Sequence, residues 1–158
     1  MARKKRRGPT QAEPEHRPEP WLIHFFRRHP DHDPGQSVPA REFLNVCPEG
    51  VRAKMLAALR AVAEAPPPAF SGGGYWEAMH DDMSGYYEVR ADGPQRKHFR
   101  LFCLLERTGS DLGLGGPSLV LLTGMAKGFR TVFSDADYAK VRRLGDEYRS
   151  RKPRSVER

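Results

Sequence analysis

Cysteine is scarce: Cys47 and Cys103 are the only two in 158 residues. Two are too few for a disulfide scaffold, and neither sits in a CxxC or Cys/His spacing that would hold zinc. Both lie among apolar neighbours, which marks them as reduced core thiols of an intracellular protein. Long apolar runs are missing too. Nothing approaches the ~20 residues that a membrane-spanning helix needs. The basic start "MARKKRRGPT" is followed by no apolar region, so it does not read as a secretory signal. Residues 1–20 lack apolar side chains beyond Met1 and alanine, and are rich in charge and proline. Such a segment cannot bury enough surface to offset its ordering entropy and is predicted to be disordered. These absences lead to one expectation, a soluble cytoplasmic protein without a membrane partner.

What is present in excess is positive charge. The net charge is +7 and the pI about 9.7, which points to polyanionic or acidic partners. The charge is unevenly spread. Residues 1–20 carry six Lys and Arg against three Asp and Glu, residues 21–85 carry six against eight, and residues 86–158 carry fifteen against nine. The length suits one domain with a tail, long enough to bury a core unaided. The division reads as a disordered basic tail at 1–20, a domain at 21–152 and a flexible end at 153–158.

Within that domain, "WLIHFFRR" (21–28) reads as a strand closed by the loop "HPDHDPGQ". "VPAREFLNVC" (38–47) suits a short helix with Phe43, Leu44 and Cys47 inward. "PEGVRAKMLAALRAVAEA" (48–65) is the clearest helix: Val51, Met55, Leu59 and Val62 recur at spacings of three and four. Residues 69–85 read as a flexible connection. Strands are expected at 86–91, 98–107 and 118–125, the last apolar on both faces as befits a covered central strand. Ser134 and Asp137 form a capping-box pattern for a final helix, with Tyr138, Val141, Leu144 or Gly145, and Tyr148 on one face. The fold class is α+β, an antiparallel-rich sheet with two helices on one face and a C-terminal helix.

The hairpin "YYEVRADGPQRKHFRLFCLLE" (86–106) turns at "ADGP" and alternates at period two. Tyr87, Val89 and Ala91 join Phe99, Leu101, Cys103 and Leu105 on the face that meets the helices. Tyr86, Glu88 and Arg90 join His98, Arg100, Phe102 and Leu104 on the other face, expected to be exposed. An arginine pair on a sheet face, flanked by aromatics, can grip phosphate by forked hydrogen bonds while rings stack on bases.

"GYYEVR" (85–90), "FRLF" (99–102) and "LVLLTGMAKGFR" (119–130), followed by a helix from Asp135, resemble in order and spacing the RelE/ParE superfamily of toxin–antitoxin toxins. The closer likeness is to its phage-derived, HigB-like branch, and it covers roughly residues 20–150. The resemblance implies a RelE-like fold and a small bacterial toxin that cleaves mRNA on the ribosome. It implies a metal-independent endoribonuclease without a cofactor, in which a 2′-OH attacks the adjacent phosphate and cations stabilise the charge that builds. A separately encoded antitoxin, commonly a helix-turn-helix protein, would neutralise it. Arg100 matches the strand arginine that grips the scissile phosphate, and Arg90 matches a second one. Lys127 and Arg130 fall in the next cationic cluster. The chain departs from the better-known RelE pattern at two places. Glu88 stands where those toxins carry lysine, and Phe133 where they carry a tyrosine before the last helix. His98 or Glu88 could instead take a proton, though neither matches a residue of the family's pattern.

Other readings remain open. Arg90 and Arg100 suit a solvated sheet face or an Arg90–Glu88 surface pair, and Lys127 and Arg130 suit solvated loop cations. His98 suits an exposed residue beside the turn. His80, Asp81 and Asp82, like His24, His29, Asp31, His32 and Asp33, read as loop polarity rather than metal ligands. The "RKKRR" tail suits a nonspecific nucleic-acid arm or a solvated leader. At the level of function the alternatives are a ParE-like toxin that inhibits DNA gyrase by binding, and a degenerate nucleic-acid-binding relative.

Overall fold

A computed structural model describes residues 18–66 and 74–158; most of the basic tail, and residues 67–73 of the connection read as flexible, lie outside them. Among the described residues the chain forms six strands and three α-helices. Strand β1 (Leu22–Phe26) is followed by helices α1 (Pro39–Val46) and α2 (Glu49–Glu64). Pro48 explains the break between the helices: a residue before proline is pushed to extended backbone, and Cys47 sits at φ −66°, ψ 147°. The α2 stripe Val51, Met55, Leu59 and Val62 is buried, as its spacing predicts.

Strands β2 (Trp76–Ala78), β3 (Tyr86–Asp92), β4 (His98–Glu106) and β5 (Ser118–Lys127) follow, then α3 (Asp135–Arg149) and β6 (Val156–Glu157). The sheet order is β2-β3-β4-β5-β1-β6. It is mixed: β1 and β5 run parallel as neighbours, while α1 and α2 lead the chain from β1 to β2 at the far edge, and the other pairs are antiparallel. β2 is a correction to the flexible reading of 69–85. β6 corrects that of 153–158, since Phe26 pairs with Val156 and Arg41 Nε lies 2.8 Å from Glu157. Both strands are too short for periodicity to mark them. His24 is a third correction. It is buried in β1 with Nε2 3.0 Å from the Leu114 carbonyl, and burial lowers its pKa.

Each face of the sheet has its own core. Val89, Ala91, Phe99, Leu101 and Cys103 pack against α1 and α2, the face that the alternation assigns them. The opposite face, expected to be open, is covered over half its length. Tyr86, Phe102, Leu104, Val120 and Leu122 are buried with Val141 and Tyr148 of α3. The reason lies in that helix, whose apolar stripe needs a sheet face of its own. Its start is fixed by the capping box: the Ser134 side chain accepts from Asp137 N, and the Asp137 carboxylate accepts from Ser134 N.

α3 comes unusually close to the sheet. Gly145 occupies its buried stripe, and a Cβ there would collide with the Tyr86 hydroxyl. Arg149 donates to that hydroxyl at 3.3 Å. Alanine in mid-helix normally gains about 1 kcal/mol over glycine, whereas overfilling a packed contact costs about 1–3 kcal/mol. Gly145→Ala is expected to lower the thermal midpoint by a few degrees. A midpoint equal to or above the parent's, in a calorimetric scan, would show that α3 is free to move off the sheet.

Candidate functional site

Beyond the N-terminal end of α3 the second sheet face is open, and its side chains fall into transverse rows. Glu77 of β2 opposes Glu88, which opposes Phe102 and then Thr123. In the next row Arg90 opposes Arg100, which opposes Met125. In the third, Asp92 opposes His98, which opposes Lys127. A β-bulge at Phe102/Cys103 puts an extra residue into β5. That extra residue reverses the parity of the strand's second half and brings Met125 and Lys127 to the same face as Arg100 and His98.

Like charges directly opposite one another destabilise a sheet, and this face holds two such pairs. Their cross-compensation is partial. Arg90 reaches Glu77 at 3.2 Å and Glu88 at 3.5 Å. Arg100, expected to be exposed, is instead buried at 8% exposure, because its strand lies inside the sheet between β3 and β5 with Phe133 beside it. One of its nitrogens donates to the Phe99 carbonyl at 2.9 Å, and its guanidinium carbon lies 5.9 Å from the Phe133 ring centroid. Among the described residues no carboxylate lies within ion-pairing distance of it. Burial and the neighbouring Arg90 lower its pKa, yet a guanidinium stays protonated in proteins. Two cationic forks therefore stand side by side, one of them largely dehydrated and without an anionic partner.

Two open cavities share this ridge. One of about 230 Å³ is lined by Gly74, Tyr75, Arg90, Ala91, Asp92, His98 and Arg100. The other, about 290 Å³, is lined by Glu88, Arg90, His98, Arg100, Thr131, Val132, Phe133 and Tyr138. His98 Nδ1 lies 2.9 Å from Asp92 Oδ1, so the carboxylate fixes the ring and leaves Nε2 to face a ligand. The His98 hydrogen bond lowers the Asp92 pKa. Burial raises the pKa of Glu88, against the pull of Arg90 and Arg100. Burial likewise raises that of Tyr138.

Of the residues singled out from sequence, Arg90, Arg100, His98 and Glu88 come together here. Lys127 and Arg130 do not line either cavity. Lys127 Nζ is held 3.0 Å from Asp137, where it ties β5 to the α3 cap; the Ser134 backbone N–H first, and then Lys127, bring the Asp137 pKa down to about 2. Arg130 is exposed, in left-handed backbone (φ 63°), with its guanidinium 5.2 Å from the Phe129 ring centroid. Sequence reasoning missed Tyr138 as a site residue because its place on the apolar stripe of α3 reads as core. The signal was its position four residues past the Ser134 cap, at the edge of the covered zone. Its ring packs edge-on to Phe102 with centroids 6.2 Å apart, and 6.3 Å from that of Phe133. A phenolic hydroxyl thus enters the site beside the phenylalanine that replaces the expected tyrosine.

The histidine and aspartate clusters have local explanations. Asp31 N donates to His29 Nδ1, and Asp33 accepts from the Gly35 and Ser37 amides. Among the described residues, no group of three or more His, Cys, Asp or Glu is placed to hold a metal ion, and no helix is long and apolar enough to cross a membrane. No family model matches the chain, and neither a curated protein nor a solved structure matches it.

The raised pKa of Glu88 means that the folded chain holds this proton more tightly than the unfolded one. Its contribution to stability is present below the ordinary carboxylate range and is lost as pH rises through the raised value. Glu88→Gln is expected to be more stable than the parent at pH 7, with the gap closing toward about pH 4. Urea midpoints at the two pH values read this out. A variant weaker than the parent at pH 7 would show that the Arg90 pairing outweighs the burial.

Proposed function

We propose that this face binds RNA and cleaves it, in the manner of the RelE/ParE toxins and their HigB-like branch. The observation that carries the reading is the order of the three rows: carboxylate, arginine pair, imidazole. Same-face residues along a strand are about 6.6 Å apart, so Glu88 and His98 flank the arginine row from opposite sides. In-line displacement at phosphorus needs this arrangement, because the attacking and leaving oxygens lie on opposite sides of it. With the phosphate on Arg90 and Arg100, Glu88 takes the proton of the ribose 2′-OH. The 2′-oxygen forms its bond to phosphorus as the bond to the 5′-oxygen breaks, and His98 delivers a proton to that leaving oxygen. The strand closes to a cyclic phosphate on one side and a 5′-hydroxyl on the other. Burial favours Glu88 as the base, since a carboxylate of raised pKa is the stronger proton acceptor. Tyr138 stands over the same phosphate as a hydrogen-bond donor.

The arginine pair supplies the larger effect. Donors fixed where charge develops, in a partly dehydrated site, lose nothing to reorganisation during the reaction. The biological setting that goes with this chemistry is a cytoplasmic toxin that stops translation by cutting mRNA on the ribosome. Its restraint is a separately encoded antitoxin of the helix-turn-helix kind.

Controlled expression in a bacterial host, with 5′-end mapping of cellular RNA, tests the proposal. Translation-dependent cuts are expected from the parent and should fall ~10²–10³-fold in Arg100→Ala. Growth arrest with intact transcripts and altered plasmid supercoiling would overturn it in favour of gyrase inhibition by binding. The cleavage rate of the purified protein on ribosomes should follow a bell in pH, with the acid limb removed by Glu88→Gln and the alkaline limb by His98→Ala. A profile that keeps both limbs in both variants would remove Glu88 and His98 from proton transfer.

A further inference from the structure

The arginine row extends one strand further than the hairpin. Trp76 pairs with Val89 and Glu77 with Glu88, so Tyr75 falls opposite Arg90, and Arg90 N donates to the Tyr75 carbonyl at 2.9 Å. Tyr75, Arg90 and Arg100 thus cross three strands in line, at about 4.8 Å per strand. Tyr75 is a large aromatic left 59% exposed, while Trp76 beside it is 3% exposed. The chain turns one ring into the core, stacked on Tyr87 at 5.1 Å, and leaves the next standing free beside two guanidiniums. The two cavities share Arg90, His98 and Arg100 in their walls and no other residue. Tyr75 lines one, and the other is edged by Val132, itself 84% exposed.

We infer that Tyr75 is a nucleobase-stacking platform, and that the site holds two successive nucleotides of a single strand, one in each cavity, with their shared phosphate on Arg90 and Arg100. This rests on the RNA-binding reading above and adds to it a strand-selective contact outside the hairpin. An exposed ring next to a fixed cation suits a flat base joined to a phosphate, since the base stacks while the phosphate takes the forked hydrogen bonds. A duplex cannot use the platform, because its bases are already stacked on one another. Sequence preference is expected to be weak on the Tyr75 side, because every base offers a face to stack.

The test is equilibrium binding of the purified full chain to a six-nucleotide RNA, 2′-O-methylated throughout so that it cannot be cleaved and fluorescently labelled at its 3′ end. Anisotropy is expected to show single-strand binding that Tyr75→Ala weakens about 5- to 100-fold. Tyr75→Phe and Tyr75→Trp should retain it, since stacking needs the ring and not the hydroxyl. Because Tyr75 is exposed, these variants are expected to unfold at the parent's midpoint. Equal binding by the parent and Tyr75→Ala overturns the inference, as does Tyr75→Phe behaving like Tyr75→Ala. A duplex of the same sequence binding as tightly as the single strand, or no binding to the single strand at all, overturns it as well. The readout does not involve cleavage. Tyr75-dependent binding without cuts in cells would remove the nuclease and leave the platform standing. Cuts in cells without any Tyr75 dependence would do the reverse.

Discussion

The chain is organised around β5, a strand that must satisfy two cores at once. Leu119 and Leu121 serve the α1–α2 side, and Val120 and Leu122 serve the α3 side. A strand apolar on both faces can be stable only when both are covered, so the need to cover it draws α3 onto the second face. The same strand changes character after its bulge. Its first half belongs to the two cores, and its second half, from Thr123 to Lys127, is only half-buried. One inserted residue thus separates the part of the sheet that stabilises the fold from the part that meets solvent. It also sets the register that places Lys127 beside His98 instead of under α1.

On the open side, the sheet accepts arrangements that stability alone would reject. Arg90 faces Arg100 and Glu88 faces Glu77, where opposite charges would be expected across the pairs. Such conflicts between local rule and global fold concentrate at functional sites. Three of the five non-glycine residues with positive φ among the described residues lie at the same end: Gln95 and Arg96 at the hairpin tip and Arg130 after β5, with Gln36 and Asp81 elsewhere. Arg96 and Arg130 both place their guanidiniums about 5 Å from the Phe129 ring. An anion bound between Arg90 and Arg100 would relieve their repulsion and replace the hydration that burial has removed from Arg100. On the proposed reading, phosphate binding therefore adds stability to the folded chain.

Much of this was legible in the sequence, where regular alternation or helical spacing made it so. The parity of the hairpin gave the partition of Val89, Leu101 and Cys103 from Arg90, Arg100 and His98. Ser134 and Asp137 gave the start of α3. What could not be read was long-range. The three residues of β2 and two of β6 carry no period. The bulge leaves no mark in a uniformly apolar run. That α3 would cover Phe102 and Leu104 depends on Gly145 meeting Tyr86, a contact between residues far apart in the chain. The turn itself shifted: "ADGP" was the natural signal, but the chain reverses at Gln95 and Arg96, because Asp92 is held in the ladder opposite His98.

Lys127 shows how the unread contacts alter a functional assignment. A lysine at the end of a strand in a cationic cluster invites a direct role on phosphate, yet its ammonium is spent on Asp137. That carboxylate also closes the α3 capping box, so Lys127 joins β5 to the first turn of the helix. Tyr138 is the next residue in that turn. A contact that fixes Asp137 therefore fixes the entry of the Tyr138 ring between Phe102 and Phe133. In the proposed reaction Lys127 acts by placing a hydroxyl, and the hydroxyl reaches the phosphate from a helix instead of from the loop that precedes it. A helix turn held by a capping box and an ion pair is stiffer than an exposed loop. On the proposed reading, Tyr138 then supplies from a rigid helix turn the donor that RelE toxins carry at the position where this chain has Phe133.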